Sequence, residues 1–145
     1  MSTLAMMLGR GPAGLPPAAP LDFPALVLPP SPNACLAAPP GATTQPHEAV
    51  PLLPVSPETA WAALRRLGGG FERVWTLGEW PELHQLQWVA RTRFANFPDL
   101  VNAQVVPLEG GAGLWLYSRS LIGWSDLGVN RRRVLEWVGA LRAAL

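Results

Sequence analysis

Residues 118–134 read SRSLIGWSDLGVNRRRV, and the expected fold is built outward from this stretch. Side chains alternate between apolar and polar or bulky types over residues 114–119, which is the period of a β-strand. Residues 125–130 are rich in turn and helix-cap residues. Beyond them, apolar residues recur at the spacing of a helix with one buried stripe: Val134, Trp137, Val138, Leu141 and Leu145. The stretch predicts a strand that turns through a polar corner (residues 118–133) into a helix docked on the sheet.

The upstream sequence contains the same two patterns, namely the helical spacing of apolar residues and the alternation of a β-strand. Ser56-Pro57-Glu58 is a helix start, and a buried stripe follows at Ala60, Trp61, Leu64 and Leu67. Three glycines, 68–70, end that helix. A phosphate-binding loop would need a strand before the glycines and a helix after them, which is the reverse of this order.

Strands are predicted over residues 71–77, 84–94, 100–106 and 113–120, with a hairpin turn at 109–111. The run 84–94 has one apolar and one polar face, which is typical of an antiparallel sheet covered on one side only. The sequence therefore predicts an α+β fold: an antiparallel sheet of four to five strands with two helices on one face, in the order strand-helix-strands-helix.

Proline dominates the beginning of the chain. Residues 1–46 contain 11 of the 17 prolines, and proline removes backbone donors and fixes φ. We expect an extended or disordered Pro/Ala-rich leader over residues 1–46 and a single α+β domain over residues 47–145. No positive charge precedes the short apolar patch at residues 4–8, so a signal peptide is not predicted and a cytoplasmic location is the default expectation.

Composition excludes several classes of function. The net charge is +1, which gives no electrostatic case for binding nucleic acid. All 11 basic residues are arginine, which reflects a compositional bias or suits paired recognition of anions. The single cysteine allows no internal disulfide, and the two histidines lack metal-ligand spacing, so we expect no metal and no cofactor. No apolar run approaches the ~18 residues of a transmembrane segment.

The pattern SRS-x-x-G-x-SDLGVN-x-x-RV resembles the signature of an uncharacterised bacterial and plastid family, the domain of unknown function numbered 1499. The resemblance runs from Ser31 to Leu145. It includes Ser31, Pro32, Asn33 and Cys35 at the entry, Arg91, Thr92 and Phe94 at a strand end, and Phe97-Pro98-Asp99. The family usually has Asn and Cys adjacent, whereas Ala34 separates them here. The family has no established activity to transfer.

Three consecutive arginines begin the last predicted helix, where the positive end of the helix dipole disfavours each cation by a few tenths to about 1 kcal/mol. Such a break in a local rule marks a candidate site. We take its residues to be Arg119, Asp126, Asn130, Arg131 and Arg133. Two interpretations stay open: these side chains bind a small anion or a partner's carboxylate, or Arg131 or Arg133 pairs with Asp126 or Asp99 to fix the corner.

The preferred hypothesis is a non-catalytic binding or scaffold domain that recognises an anionic group or a protein partner at this corner. A second hypothesis is a small hydrolase-like enzyme in which Ser118 or Ser125 is the nucleophile and His84 the base. A third is an envelope-associated accessory protein, whose leader and turn tryptophans, Trp80 and Trp124, make a peripheral membrane contact.

Overall fold

The computed structural model describes residues 2–145. Within that range the chain forms three α-helices, namely α1 (Thr3–Leu8), α2 (Pro57–Leu67) and α3 (Val129–Ala143). It also forms six strands: β1 (Ala34–Ala38), β2 (Glu48–Ala49), β3 (Val74–Trp80), β4 (Gln85–Arg91), β5 (Pro98–Leu108) and β6 (Gly111–Ser120). Among these residues, none of the helices combines the length and the apolar character that crossing a bilayer requires.

All six strands form one sheet in the order β2-β1-β6-β5-β4-β3. Strands β3 to β6 and the β1–β6 pair are antiparallel, whereas β1 and β2 are parallel. The predicted α+β class is confirmed, but the predicted detail of four to five antiparallel strands and two helices is wrong. Strand β1 lacks the alternation that marks a half-buried strand, because all but its first residue are buried and both of its faces are covered.

Helices α2 and α3 cover one face of the sheet, as the two apolar stripes predict. Val134, Trp137 and Leu141 of α3 are buried, and Trp137 meets Trp88 of β4 edge-on at a ring separation of 5.2 Å. Residues Gly68–Gly70 extend the end of α2 as a 3-10 turn. Gly68 is required there, since a Cβ on it would lie 2.4 Å from the Trp88 indole nitrogen.

Residues 2–28 cover the opposite face of the sheet, and this differs from the expected single covered face. Met6, Leu15 and Phe23 are buried against it. Every residue of β4 is consequently buried, including the polar ones that alternation assigned to solvent. The physical reason is that the Gln85 and Arg91 side chains bond the main chain of residues 2–28 rather than water, while the Gln87 amide bonds Asn102 of the neighbouring strand.

Candidate functional site

Asn130 lies at the centre of the polar corner, on the first turn of α3, and is fully buried. Its side-chain oxygen accepts hydrogen bonds from the Ser118 hydroxyl at 2.5 Å and from Arg133 at 3.0 Å. Its amide nitrogen donates to Asp126 Oδ2 at 2.6 Å, to Ser120 Oγ at 2.8 Å and to the Asn33 carbonyl oxygen at 3.1 Å. One side chain therefore ties α3 to the end of β6 and to the segment that leads into β1.

Arg133 resolves the unfavourable run of arginines by turning inward. Its Nη1 lies 2.9 Å from Asp99 Oδ2 and 3.2 Å from Ser118 Oγ. Asp99 is almost fully buried at the start of β5. Burial raises the pKa of the Asp99 carboxyl, and the Arg133 guanidinium offsets only part of that rise. The pair is thus a buried ion pair that joins α3 to the sheet.

Asp126 lies two residues before Gly128, the N-cap residue of α3, and its side chain bonds the first turn of the helix. Its carboxylate accepts hydrogen bonds from the backbone N–H groups of Gly128 at 2.8 Å and Asn130 at 2.9 Å. Burial alone would raise the pKa of Asp126, but these bonds and the Asn130 amide outweigh it and hold the pKa below the usual range. The negative charge at the helix start also offsets the cations that follow. Gly128 itself occupies the N-cap position and has no side chain to bond the helix, so the Asp126 carboxylate does so from two positions earlier.

Asp126 makes the stability of the fold depend on pH in the acidic range. Its folded pKa lies below the ordinary value of 3.8, so its stabilising contribution is present at neutral pH and is lost as the pH falls below about 4. In Asp126→Asn we expect lower stability at pH 7 and a shallower loss of stability below about pH 4. Urea denaturation at stepped pH measures both effects. Asp22→Asn, at an exposed carboxylate, is the matched control. If Asp126→Asn lost stability below about pH 4 as steeply as the parent does, this role would be contradicted.

The five predicted site residues do not form one cluster. Asp126, Asn130 and Arg133 come together in the network above. Arg131 instead pairs with Glu48 of β2 at 2.8 Å on the surface. Arg119 lies on the opposite face of the sheet, since it alternates with Ser118 along β6. Of the five residues, Asp126, Asn130 and Arg133 thus form an internal network, which we call the clasp.

The residues of the proposed hydrolase lie apart. His84 immediately precedes β4 and stacks on Trp61 of α2, with ring centroids 5.3 Å apart. Ser118 is level with Trp88, four residues further along, so it lies about 13 Å away along the strand direction and two strands across. Ser125 lies beyond the far end of β6. A base must reach its nucleophile to act on it, so this arrangement does not assemble a serine–histidine pair.

Cys35 of β1 is buried on the helix-covered face, level with Ser118. Burial, aided by the nearby Glu48 carboxylate, raises the pKa of this thiol to about 11. The thiol is therefore protonated at neutral pH and serves as a small packing residue.

A cavity of about 260 Å³ opens beside the clasp, between the loops formed by residues 92–97 and 121–128. We call it the corner cavity. It is lined by both apolar and polar residues: Thr92, Phe97, Asp99, Ser120, Ile122, Gly123, Ser125, Asp126, Leu127 and Val129. Sequence reasoning placed only Asp126 of these in the site. Apolar residues inside turn-forming loops, such as Phe97 and Leu127, were the available signal.

Comparison with curated proteins and with solved structures gives no significant match. The model of one protein family does match, over residues 27–141. That span covers β1 to β6, α2 and all but the last two residues of α3, including the whole SRSLIGWSDLGVN stretch. It leaves nearly all of residues 2–28 outside. Because the match covers far more than half of the chain, this protein belongs to the family described as "Protein of unknown function (DUF1499)".

Proposed function

We propose that this chain is a non-catalytic binding domain that takes a small amphipathic ligand in the corner cavity. The observation that carries the proposal is the cavity itself, whose lining combines apolar side chains with carboxylates and hydroxyls. Binding sites for small molecules have this composition, with a few polar groups that orient a mostly apolar contact. The separation of His84 from the serines supports a binding role rather than a hydrolytic one.

The polar atoms of the cavity favour a donor on the ligand. Among the described residues, no arginine or histidine nitrogen lies within 4.0 Å of the Asp126 carboxylate, so backbone and amide N–H groups balance its charge. A carboxylate has about four acceptor positions, and Asp126 uses three of them internally. A ligand ammonium or hydroxyl complements the remaining acceptors, whereas an anion would meet two carboxylates. The preferred ligand thus differs from the anion expected from the sequence.

Phe97→Ala should weaken ligand binding about tenfold, because Phe97 supplies an aromatic wall and a tenfold change corresponds to about 1.4 kcal/mol of lost contact. The probes are n-hexylamine, n-hexanol and hexanoate, followed by backbone amide shifts of residues 92–97 and 121–128. We expect affinity to fall in the order amine, alcohol, carboxylate. Absence of shifts in both loops, or tightest binding of hexanoate, would contradict the proposal.

Phe94→Ala is the matched control, since Phe94 lies on the same loop, is 97% exposed and does not line the cavity. Hexylamine binding should be unchanged in this variant. A result in which both phenylalanine variants lose affinity equally would assign the effect to the loop as a whole and would count against the cavity.

Peripheral membrane contact is the second candidate function, and the exposed apolar tips of the two loops favour it. Phe94, Trp124 at 65% exposure and Leu127 at 87% exposure stand on loops that border the same cavity. Large apolar residues exposed together mark interaction surfaces, and tryptophan is enriched at membrane interfaces. The same two variants separate the candidates: in vesicle sedimentation, Phe94→Ala should weaken binding and Phe97→Ala should not.

A further inference from the structure

Residues 2–28, which we call the strap, cross the sheet face that lies opposite α2 and α3. The path begins at the C-terminal end of β4, where α1 lies beside Arg91. It continues past Trp75 and Gly78 of β3 to Gln85, and it ends where Phe23 stacks on Trp115 of β6 at 5.4 Å. We call the covered surface the strap face.

Arg91 binds the strap through its main chain. Its guanidinium donates hydrogen bonds to the carbonyl oxygens of Met6 at 2.6 Å, Gly11 at 2.8 Å and Ala13 at 2.8 Å. The residue is 3% exposed, and within residues 2–145 no carboxylate pairs with it. Burial and the neighbouring Arg73 accordingly lower the pKa of Arg91. A buried cation that donates its hydrogen bonds to backbone carbonyls is suited to holding an extended chain.

Gln85 and Asn96 also bind the main chain of the strap by hydrogen bonds. The Gln85 side chain accepts from the Leu21 N–H at 2.7 Å and donates to the Leu21 carbonyl at 3.0 Å, which closes a ring of two hydrogen bonds. The Asn96 amide donates to the carbonyl oxygens of Met7 at 2.6 Å and Gly9 at 2.8 Å. None of these bonds depends on which side chain the strap carries at those positions.

Aromatic residues of the strap face meet a proline-rich chain. The strap contains prolines at 12, 16, 17, 20 and 24. A Cβ on Gly11 would lie 3.3 Å from the Trp75 indole, and Trp115 packs against the buried Phe23. Proline has no N–H, so a proline-rich segment offers mainly carbonyl acceptors, and the donors of Arg91, Asn96 and Gln85 match it. Aromatic surfaces with such donors bind extended proline-rich peptides.

Two observations separate the strap from the rest of the fold. The family match begins at residue 27, so nearly all of the strap lies outside the matched domain. In addition, the Oε1 atom of Gln87 is buried on this face without a hydrogen-bond partner among the described residues. A buried acceptor without a partner carries a cost of about 1–3 kcal/mol. The strap therefore leaves one polar group of this face unsatisfied.

We propose that the strap face is a peptide-binding surface occupied in cis by residues 2–28, and that its partner in trans is an extended proline-rich peptide with an aromatic anchor. Arg91 and Gln85 of this face donate hydrogen bonds to the main-chain carbonyls of the peptide. Trp115 receives the anchor in the place of Phe23. This surface is distinct from the corner cavity, so either proposal can fail without the other.

The test uses the full chain with a specific protease site inserted after Pro30, which is exposed. The folded protein is cleaved at that site and mixed with a fluorescein-labelled peptide of residues 2–28, and anisotropy is recorded. We expect saturable exchange of the labelled peptide that the unlabelled peptide reverses. A retained fragment that never exchanges, or a released fragment with no binding of the labelled peptide, would overturn the proposal.

Variants assign the binding to the contacts described. A Phe23→Ala peptide should bind at least tenfold more weakly, whereas Val27→Ala, at a position 86% exposed, should bind as the parent does. Replacing the five prolines with alanine should also weaken binding at least tenfold. In the chain, Arg91→Met should weaken binding and the exposed Arg93→Met should not. The peptide variants decide the outcome even if Arg91→Met does not fold, and equal binding of the Phe23→Ala and parent peptides would overturn the proposal.

Discussion

Arg133→Met is expected to lower the free energy of unfolding by about 3–5 kcal/mol, because removing one partner of a buried ion pair leaves the other uncompensated. Asp99 is the partner left behind, at 2.9 Å from the lost guanidinium. Ser118 and Asn130 also lose a donor in the same network. Urea denaturation followed by circular dichroism measures the loss.

The neighbouring arginine supplies the control. Arg132→Met removes an exposed guanidinium that donates only to the Leu127 carbonyl among the contacts of the described residues, so a change within about 0.5 kcal/mol is expected. Replacing both partners, as in Asp99→Leu with Arg133→Met, should cost less than Arg133→Met alone, because no buried charge remains. Equal losses in Arg132→Met and Arg133→Met would mean that the clasp does not stabilise the fold.

The loss in Arg133→Met should also shrink at low pH. Burial already raises the pKa of Asp99, and removal of the cation that offsets this rise moves the pKa further in the same direction. Protonation then neutralises the stranded carboxylate as the pH falls toward that pKa. A loss that is independent of pH would indicate that packing, rather than the ion pair, is disturbed by the substitution.

Phe23→Ala in the full chain is expected to lower the free energy of unfolding by about 3–5 kcal/mol, which is the usual cost of truncating a buried phenylalanine to alanine. Phe23 is fully buried among Leu36, Ala38, Trp115 and Tyr117. Truncation removes its stacking on Trp115 and leaves a cavity under the strap. Hydrogen exchange should show faster exchange of backbone amides in residues 2–28 than in the sheet, since the strap loses its anchor first.

Val27→Ala is the matched control for stability as well, because Val27 projects into solvent four residues further along. Its effect should stay within about 0.5 kcal/mol. If Phe23→Ala also changed the free energy of unfolding by no more than about 0.5 kcal/mol, residues 2–28 would be a disordered leader in solution, as the proline content suggested. The comparison of Phe23 with Val27 therefore tests directly where the folded part of this chain begins.

Local patterns predicted the parts of the fold that depend on neighbours in sequence. The stripes of α2 and α3 and the alternation along β6 follow from residues a few positions apart, and the structure contains them. The family signature located the corner for the same reason. Asp126, Asn130 and Arg133 lie within eight consecutive positions, so a motif can capture them together.

Tertiary structure alone decided which polar groups meet. Asp99 reaches Arg133 across 34 positions, and Arg91 reaches Gly11 across 80, so no periodicity in either segment reports the contact. Alternation along β4 correctly separated two faces, yet it assigned the polar one to solvent. That assignment failed because a proline-rich segment supplies carbonyl acceptors that satisfy buried donors in place of water. Whether a polar strand face is exposed therefore depends on what distant chain lies over it.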